Sequence, residues 1–286
     1  MIKLGIIGIS EGNGHPYSFS AIINGYNDEY MAKSGWRNIY NYLKERDKSD
    51  FGIQDTKVTH IWTQDKKESL KIAKASNIPN IVERYTDLIG QVDAVIIARD
   101  DYQNHLTFAK PFLENGISVF IDKPLSLDTT ELNYFEPFIK NKQLFSASGI
   151  KYARELDFLK NLNETDFPFI RATCINNWDK YGIHMLDGIF SVVNWNVIDV
   201  KTIDNHFFLL CDNSRTIEIT MLGNYHIPLF KFEFFGNEYY QVEIKDYFIC
   251  FKRLLSNFID MVKNKNQDSY KTIELMNILI KGIKNT

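Results

Sequence analysis

The fold of this chain is decided by the stretch Ile117-Ser118-Val119-Phe120-Ile121-Asp122-Lys123-Pro124. Its apolar and β-branched residues favour a buried strand, and the proline ends the strand because it has no N–H for the ladder. A lysine at the carboxyl end of a parallel strand points into the crevice where doubly wound sheets bind ligands. The stretch therefore predicts such a sheet and singles out Lys123, although a lysine that only solvates a strand end is the alternative.

A strand, a turn and a helix are also predicted at the start of the chain. Residues 4–9 form a short apolar strand, and an apolar helix is predicted from Tyr17 to Asn24. Pro16 in the first turn of this helix and Gly25 just past its end are typical helix boundaries. The N–H groups and dipole of a helix N-terminus favour the pyrophosphate of a dinucleotide, so a nucleotide site is expected here.

The turn between them matches G-x-G-x-x-G imperfectly, because Ser10 and Asn13 stand in the second and third glycine places. Its position directly after a buried strand is more informative than the glycine count. We expect the turn to cradle the pyrophosphate. The residues predicted to bind it are Gly8, Ser10, Gly12, Asn13 and Gly14.

Strands and helices then alternate. Further strands are predicted at 58–63, 80–82, 92–98, 117–123 and 143–148. This alternation predicts an α/β fold whose N-terminal domain, residues 1–124, is an NAD(P)-binding Rossmann domain with a doubly wound parallel sheet. An insertion at about 24–56 interrupts it. We expect this insertion to be structured, with a helix near 36–46, because it has too many large side chains for a solvated linker.

The residue that usually binds the adenosine ribose falls at the end of the second strand. By register this place is Thr63, since Asp65 starts a capping box for the next helix. No acid stands there, so the choice between NAD and NADP stays open, and Lys66 nearby favours tolerance of a 2′-phosphate.

The second half consists of β-branched and aromatic runs. Extended segments are predicted at 169–178, 200–211, 216–222, 230–235 and 238–245. Gly236-Asn237 predicts a two-residue hairpin turn between the last two. Residues 125–286 are therefore expected to form an α+β second domain with an open, mostly antiparallel sheet. Amphipathic helices at 248–263 and 269–284 would supply core or a subunit interface.

Composition bounds the class of protein. The 286 residues are 44% hydrophobic and 24% charged, with a net charge of −3, which gives no reason to expect nucleic acid or an anionic membrane as partner. Three scattered cysteines argue against a disulfide framework or a thiolate metal site and suit a reducing cytosol. Without a signal peptide or a membrane-length apolar run, the sequence predicts a cytoplasmic protein.

These motifs resemble the glucose–fructose oxidoreductase/inositol dehydrogenase (Gfo/Idh/MocA) family. Its members carry an Asp-Ala-Val-Ile-Ile-Ala-like strand, an Asn-His turn, a helix ending in Gly, and an apolar strand before Glu-Lys-Pro. This chain has Asp93–Ala98, Asn104-His105, Gly116 and Asp122-Lys123-Pro124 in that order. The resemblance covers nearly the whole chain. It implies that the cofactor is NAD or NADP, bound also by Thr63, Ala98, Arg99, Asp100, His105, Asp122 and Lys123.

The family also carries Asp-x-Gly-x-His at the start of a helix in its second domain. Gly182 and His184 match this motif, whereas Lys180 stands in the place of the acid. Asp187, at i+3 from His184, could orient the imidazole, or could be an ordinary helix-surface carboxylate.

The resemblance implies that Lys123 and His184 handle the proton of one substrate hydroxyl, in the cleft between the domains. Positive charge on oxidised nicotinamide favours a neutral lysine, whereas Lys180 would repel an imidazolium. Lys123 is therefore expected to be the principal group and His184 the secondary one. Asp122 should be spent on the backbone or on fixing the lysine. Tyr152 and Lys180 are predicted substrate contacts, with Lys151 and Arg154 as further candidates or simply a basic helix start.

The expected activity is hydride transfer to or from a carbinol carbon of a sugar, sugar derivative or nucleotide sugar, by a homo-oligomer joined through the second-domain sheet. Two other functions stay open. Lys180 would suit a non-catalytic NAD(P)-binding regulator, and the same fold could host a lyase or glycosidase with transient oxidation. A metal hydrolase lacks support, because the six histidines show no paired ligand spacing.

Overall fold

The computed structural model describes residues 1–225, 229–266 and 271–284. Contacts divide the chain into two compact units. The first contains 1–146 and 251–270, and the second contains 147–250 and 271–286.

The first unit alternates strands and helices, joined in places by short 3-10 helices. Its elements are β1 (Ile2–Ile7), α1 (His15–Asn24), α2 (Asp28–Ala32), α3 (Arg37–Lys44), β2 (Thr56–Trp62), α4 (Lys66–Ala75), β3 (Asn80–Ile81), β4 (Ala94–Ile97), α5 (His105–Glu114), β5 (Ser118–Ile121), α6 (Thr129–Lys140) and β6 (Leu144–Phe145).

All six strands of this unit are parallel and lie in the order β3-β2-β1-β4-β5-β6. Every residue of β4 and β5 is buried, as expected for a sheet with helices on both faces. This strand order is that of dinucleotide-binding folds, in which ligands bind at the carboxyl ends of the strands where the order reverses. The predicted Rossmann sheet is confirmed.

The insertion after α1 is structured and helical in part, as predicted. Met31 in α2 and Leu43 in α3 are fully buried. Trp36 packs so closely on the turn before α1 that a Cβ on Gly14 would lie 2.7 Å from its ring. The insertion thus packs onto the nucleotide-binding fold next to its glycine-rich turn.

The first unit extends past the predicted boundary at residue 124. β6 pairs with β5, which adds a sixth strand to the sheet. α6 precedes β6. The Asp128 carboxylate caps the N-terminus of α6 by accepting the N–H groups of Thr130 and Glu131. Because these two elements complete the parallel sheet, contacts place the boundary after Ser146.

The second unit contains a second sheet and the helices around it. Its elements are β7 (Phe169–Cys174), α7 (Trp178–Phe190), β8 (Val197–Ile203), β9 (His206–Cys211), β10 (Thr216–Met221), β11 (Phe230–Phe235), β12 (Tyr239–Glu243), the start of α8 (Tyr247–Asn264) and α9 (Thr272–Lys284).

This sheet has the order β12-β11-β7-β10-β9-β8, and only the β7–β10 pair is parallel. Buried and half-buried residues alternate along β7, β9, β10 and β11, so one face is core and the other faces outward. The predicted mostly antiparallel sheet is confirmed. Association of copies through its outward face stays a prediction.

Three local predictions for this unit need correction. Trp178 begins α7 instead of ending a strand, because β7 ends at Cys174. The segment 200–211 holds two strands, since the chain turns at Asp204-Asn205. The hairpin turn has three residues, Gly236 to Glu238, because Phe235 pairs with Tyr239.

The closing helices supply core. Leu254, Leu255, Phe258 and Met261 of α8 are buried, and the Phe258 ring lies 5.6 Å from that of Phe120 in β5. The second predicted helix is observed as α9; its predicted start at 269–270 lies outside the described residues.

Candidate active site

Gly8 follows β1 at the place of the first motif glycine. Its φ is +77°, and a Cβ built there would lie 2.4 Å from Cδ of Arg99. A side chain at this position would strain the backbone and displace Arg99. Arg99 is buried, with its guanidinium paired to the Asp101 carboxylate and lying 5.1 Å from the centre of the Phe108 ring. Gly8 thus permits close approach of the loops that follow β1 and β4.

Ser10 and Asp100 join these two loops through their side chains. The Ser10 hydroxyl donates to Asp100 Oδ1 over 2.6 Å and accepts the Asp100 N–H over 3.1 Å. The N–H of Asn13 donates to the Ser10 carbonyl and closes the turn. Gly12, inside this turn, has a φ of +78° and no atom within 4 Å of the place a Cβ would take. The turn therefore leaves open space over Gly12.

A backbone hydrogen bond and the side chain of His105 hold the turn after β4 in place. The N–H of Ala98 donates to the Ile7 carbonyl, which keeps the turn beside the end of β1. His105, fully buried at the start of α5, has Nε2 2.9 Å from the Arg99 carbonyl oxygen and Nδ1 2.9 Å from that of Leu125. Both ring nitrogens thus face backbone carbonyls and shape this turn, and a direct contact of His105 with the cofactor stays a prediction.

Asp122 follows β5 directly and is buried. Its carboxylate contacts both the glycine-rich turn and the backbone of Lys123. One of its oxygens, Oδ2, lies 2.8 Å from Nδ2 of Asn13 and 2.5 Å from Nδ1 of His15. Its Oδ1 accepts the N–H of Lys123 over 2.9 Å, which confirms that the carboxylate is used on the backbone. Asp122 therefore ties the glycine-rich turn to the strand end that carries Lys123.

The Asp122 carboxylate stays ionised. Burial by itself raises the pKa of this carboxyl, whereas the charge and hydrogen bond of His15 lower it. Lys123 and Asn13 add to this effect, so the pKa of Asp122 is held well below its usual range.

Lys123 is 5% exposed and is joined to Pro124 by a cis peptide bond. It follows β5, whose partner β4 lies beside β1, so its backbone shares the carboxyl edge of the sheet with the Ser10 turn. The structure thus brings Gly8, Ser10, Gly12, Asn13, Ala98, Arg99, Asp100, Asp122 and Lys123 to one edge.

Thr63 was also predicted to bind the cofactor, at its adenosine ribose. Its side chain is 3% exposed, and its hydroxyl lies 2.6 Å from the Asp65 carbonyl oxygen and 2.8 Å from Oγ of Ser69. These contacts shape the start of α4, and a ribose contact by Thr63 stays a prediction. Asp65 caps that helix by accepting the N–H of Lys67, as predicted.

In the second unit, His184 lies on α7 and is 8% exposed. Its Nδ1 lies 2.5 Å from Oγ of Ser148, and the rings of Tyr181 and Phe230 meet the imidazole edge to face. The Ser148 hydroxyl also accepts the Ile150 N–H at the start of a 3-10 helix, Gly149–Tyr152. A serine from the segment after β6 thus holds the imidazole.

Asp187 supports the position of the His184 imidazole indirectly, through Ser148. Its Oδ2 accepts the N–H of Ser148 over 2.6 Å, so the carboxylate fixes the backbone whose side chain meets His184. Burial raises the pKa of Asp187, whereas the nearby Lys151 and the Ser148 N–H lower it. The net result is a rise from 3.8 to about 6. The reading of Asp187 as a solvated surface carboxylate is therefore wrong.

The raised pKa of Asp187 predicts a pH dependence of stability. A carboxyl whose folded pKa is raised adds stability that is complete below its ordinary pKa of 3.8 and lost as pH rises through about 6. Relative to Asp187→Asn, which keeps an acceptor for Ser148, the wild type should therefore lose on the order of 3 kcal/mol across that range. Urea unfolding at several pH values measures it, with the half-exposed Asp157→Asn as control. Parallel stability curves for wild type and Asp187→Asn would contradict this reading.

The other predicted residues of this unit are placed as follows. Gly182 has a packing role, because a Cβ there would lie 2.7 Å from the Trp178 ring and 2.8 Å from Leu279 of α9. Lys180 is exposed in the first turn of α7, and its N–H donates to Oδ1 of the exposed Asp179. Tyr152 ends the 3-10 helix that begins beside Ser148, with Nζ of Lys151 5.7 Å from its ring centre.

Sequence reasoning missed His15 and Ser148. His15 follows the glycine-rich turn directly, and a histidine at the first position of a helix in a nucleotide site was a usable signal. Ser148 carried a weaker one, a small polar residue at the end of the predicted sixth strand.

No described helix has the length and apolar character needed to cross a bilayer. Among residues 1–225, 229–266 and 271–284, no group of three His, Cys, Asp or Glu side chains could hold a metal ion.

A model of one protein family matches residues 31–144. It is the Gfo/Idh/MocA model, described as an oxidoreductase family with an NAD-binding Rossmann fold. No curated protein sequence matches the chain.

Solved structures match over the whole length at low identity, which establishes the fold alone. Apo scyllo-inositol dehydrogenase from Lactobacillus casei has a TM-score of 0.75 at 13% identity, with 100% of this chain and 95% of that one covered. UDP-N-acetylglucosamine 3-dehydrogenase from Acidithiobacillus ferrooxidans has a TM-score of 0.75 at 13% identity, with 100% and 97% covered. Myo-inositol dehydrogenase from Corynebacterium glutamicum has a TM-score of 0.72 at 12% identity, with 100% and 97% covered.

Proposed function

We propose that this chain transfers a hydride between NAD(P) and a carbinol carbon of a sugar, sugar derivative or nucleotide sugar. The match of residues 31–144 to the Gfo/Idh/MocA model of NAD-binding oxidoreductases supports the proposal. The observation that carries the proposal is the Asp122 carboxylate, which joins the glycine-rich turn and the lysine-bearing strand end within 2.5–2.9 Å. Dinucleotide binding and proton transfer then occur at adjacent positions on one sheet edge.

The residues at this edge fit a dinucleotide. No acidic residue stands in the first turn of α1, so the positive end of the helix dipole suits a phosphate, while the N–H of His15 already donates to Oδ1 of Asn13. Gly12 leaves open space where any Cβ would project. Gly8, Ser10, Asn13 and Gly14 would hold the pyrophosphate, and Ala98, Arg99 and Asp100 would lie along the nicotinamide half. The choice between NAD and NADP stays open.

The bound cofactor supplies the acceptor or donor of the hydride. Lys123 takes the proton of the substrate hydroxyl in oxidation and returns it in reduction. Asp122 fixes the backbone N–H of this lysine and stays ionised over the physiological range, so it does not compete for that proton. In this proposal Asp122 positions the proton-transfer group and does not itself transfer the proton.

His184 has the secondary role at the same hydroxyl. Ser148 can donate to Nδ1 or accept from it, so the imidazole can present Nε2 either as donor or as acceptor. A carboxylate in that place would permit only donation from Nδ1. His184 can therefore hydrogen-bond the substrate oxygen both when the substrate is oxidised and when it is reduced, while Lys123 transfers the proton.

The substrate class rests on the kind of group that the structural neighbours' names contain. These are an inositol and a nucleotide sugar, and both present secondary alcohols. Tyr152 and the exposed Lys180 are the proposed contacts to the remainder of the substrate. A cationic Lys180 suits a substrate with an anionic group better than a neutral cyclitol.

Lys180 also keeps the regulator as a second candidate, because it stands where the family motif has an acid. Calorimetry with NAD, NADH, NADP and NADPH tests the cofactor first, and absence of binding by all four would sink both functions. Absorbance of reduced nicotinamide with scyllo-inositol, free hexoses and UDP-N-acetylglucosamine tests turnover next. Binding without turnover favours the regulator, and substrate consumption without net reduction favours a lyase or glycosidase.

A further inference from the structure

His15 is a partly buried titratable residue that the proposed reaction does not use. It is the first residue of α1, and its side chain is 18% exposed. Its ring stacks on Phe19 at 4.6 Å and meets Phe251 of α8 edge to face at 5.1 Å. With Nδ1 on Asp122 as a third contact, the ring is held on two faces and at one nitrogen, so it cannot retreat without disturbing two aromatic neighbours.

Asn13 completes the cluster from the glycine-rich turn. Its Oδ1 accepts the His15 N–H over 2.9 Å, and its Nδ2 donates to Asp122 Oδ2 over 2.8 Å. Both ends of the amide are used, which fixes its orientation. One carboxylate oxygen of Asp122 therefore meets two donors, and both are anchored in the segment that starts α1.

The length of the residue at position 122 is decisive in this arrangement. The family signature has Glu-Lys-Pro where this chain has Asp122-Lys123-Pro124. An added methylene would carry the carboxylate about 1.5 Å further. With His15 Nδ1 already 2.5 Å and Asn13 Nδ2 2.8 Å from the oxygen, that distance is not available.

We propose that His15 and Asp122 are a matched pair in which His15 occupies the space of the longer family carboxylate and positions Lys123 through Asp122. The inference rests on the proposed function for its catalytic consequence. Asp122 Oδ1 accepts the Lys123 N–H, so a displaced carboxylate moves the backbone from which the lysine side chain starts. His15 is thus a positioning residue and not a catalytic one.

The test is a substitution toward the family motif. Asp122→Glu should lower kcat roughly 10- to 100-fold, because a shift of about 1 Å at a reacting group costs this much. KM should stay within a few-fold, and the Kd of the dinucleotide should rise by less than kcat falls, because Asn13 of the glycine-rich turn also contacts Asp122. Shortening the partner in the double variant His15→Ala/Asp122→Glu makes room for the longer carboxylate and should restore most of the lost kcat. A merely structural role would give no such recovery.

A pair of single variants separates the hydrogen bond from packing. His15→Asn keeps an N–H donor near the position of Nδ1, and His15→Phe keeps the ring but loses the donor. Asn should retain more kcat than Phe, at equal dinucleotide affinity. Wild-type turnover in Asp122→Glu, or equal loss in Asp122→Glu and the double variant, would overturn the proposal.

The pairing can also be measured without substrate. A short histidine–carboxylate hydrogen bond gives a far-downfield proton resonance, which should be present in the wild type and absent in His15→Phe and Asp122→Asn. If it is present but no sugar is turned over, the proposed function is wrong and the pair is real. If it is absent from a wild type that turns over substrate, the pair is wrong and the function stands.

Discussion

Replacing Lys123 by methionine is expected to lower kcat by roughly 10²-fold or more while the dinucleotide Kd stays within a few-fold. Methionine keeps the length and apolar stem of the buried side chain but cannot accept or return a proton. Asp122 contacts Lys123 through the backbone N–H, so its hydrogen bond survives the substitution. The loss should therefore fall on the chemical step and not on cofactor binding or folding.

Steady-state kinetics, calorimetry and thermal unfolding of the Lys123→Met protein measure these three quantities separately. Lys140→Met is the matched control, because Lys140 is 70% exposed on α6 and pairs across one helical turn with Glu136. It should match the wild type in all three measurements. Unimpaired turnover in Lys123→Met would end the assignment of Lys123 as the proton-transfer group.

His184→Ala should have the smaller effect, or raise KM more than it lowers kcat. The imidazole is held by Ser148 and two aromatic rings, so it can orient a hydroxyl without carrying the proton. Ser148→Ala, which leaves the imidazole but removes its hydroxyl partner, should change KM in the same direction. A larger loss of kcat in His184→Ala than in Lys123→Met would exchange the two roles.

The parallel sheet could be predicted from sequence because its strands are marked locally. β4 and β5 are buried along their whole length, so their residues are uniformly apolar, and β6 was found by the same signal. α6 was not predicted. It contains Pro137, which resembles a helix breaker, although Asp128 and Glu131 at its start have the spacing of a capping box.

The second sheet could be predicted in kind, whereas its turns could not. Alternating residues indicated strands with one buried face, but the alternation does not show where a run folds back. Asp204 has a φ of +51° and turns the chain between β8 and β9 without a glycine. The Gly-Asn pair before β12 indicated a hairpin, and the residue after it joined the turn because of the register between Phe235 and Tyr239.

In the candidate site, too, some residues could be predicted from local sequence and others could not. Lys123 and the turn at Gly12 follow from strand ends and glycines, which are local features. The partners that fix them come from far along the chain: His15 is 107 residues from Asp122, and Ser148 is 36 residues from His184. Register placed Thr63 at the strand end but could not show that its hydroxyl is bonded to the Asp65 carbonyl and Ser69. Such pairings depend on tertiary packing, which a one-dimensional pattern does not contain.

Substituting valine for Gly12 is expected to raise the dinucleotide Kd by a factor of roughly 10² or more. Two effects act together. At a φ of +78° a β-branched residue costs about 1–3 kcal/mol of backbone strain. In addition, its methyl groups project into the open space that the pyrophosphate would fill, since no protein atom lies within 4 Å of the Cβ position.

The chain offers a control that separates strain from occlusion. Gly116, after α5, has a φ of +73° and likewise no atom within 4 Å of its Cβ position, but it lies away from the turn at Gly12. Gly116→Val should therefore show similar destabilisation in thermal unfolding with unchanged dinucleotide affinity. If calorimetry finds wild-type affinity for Gly12→Val, the phosphates do not bind over Gly12. If both variants lose affinity equally, strain alone explains the loss. Only a selective loss in Gly12→Val supports a dinucleotide in the open space at the N-terminus of α1.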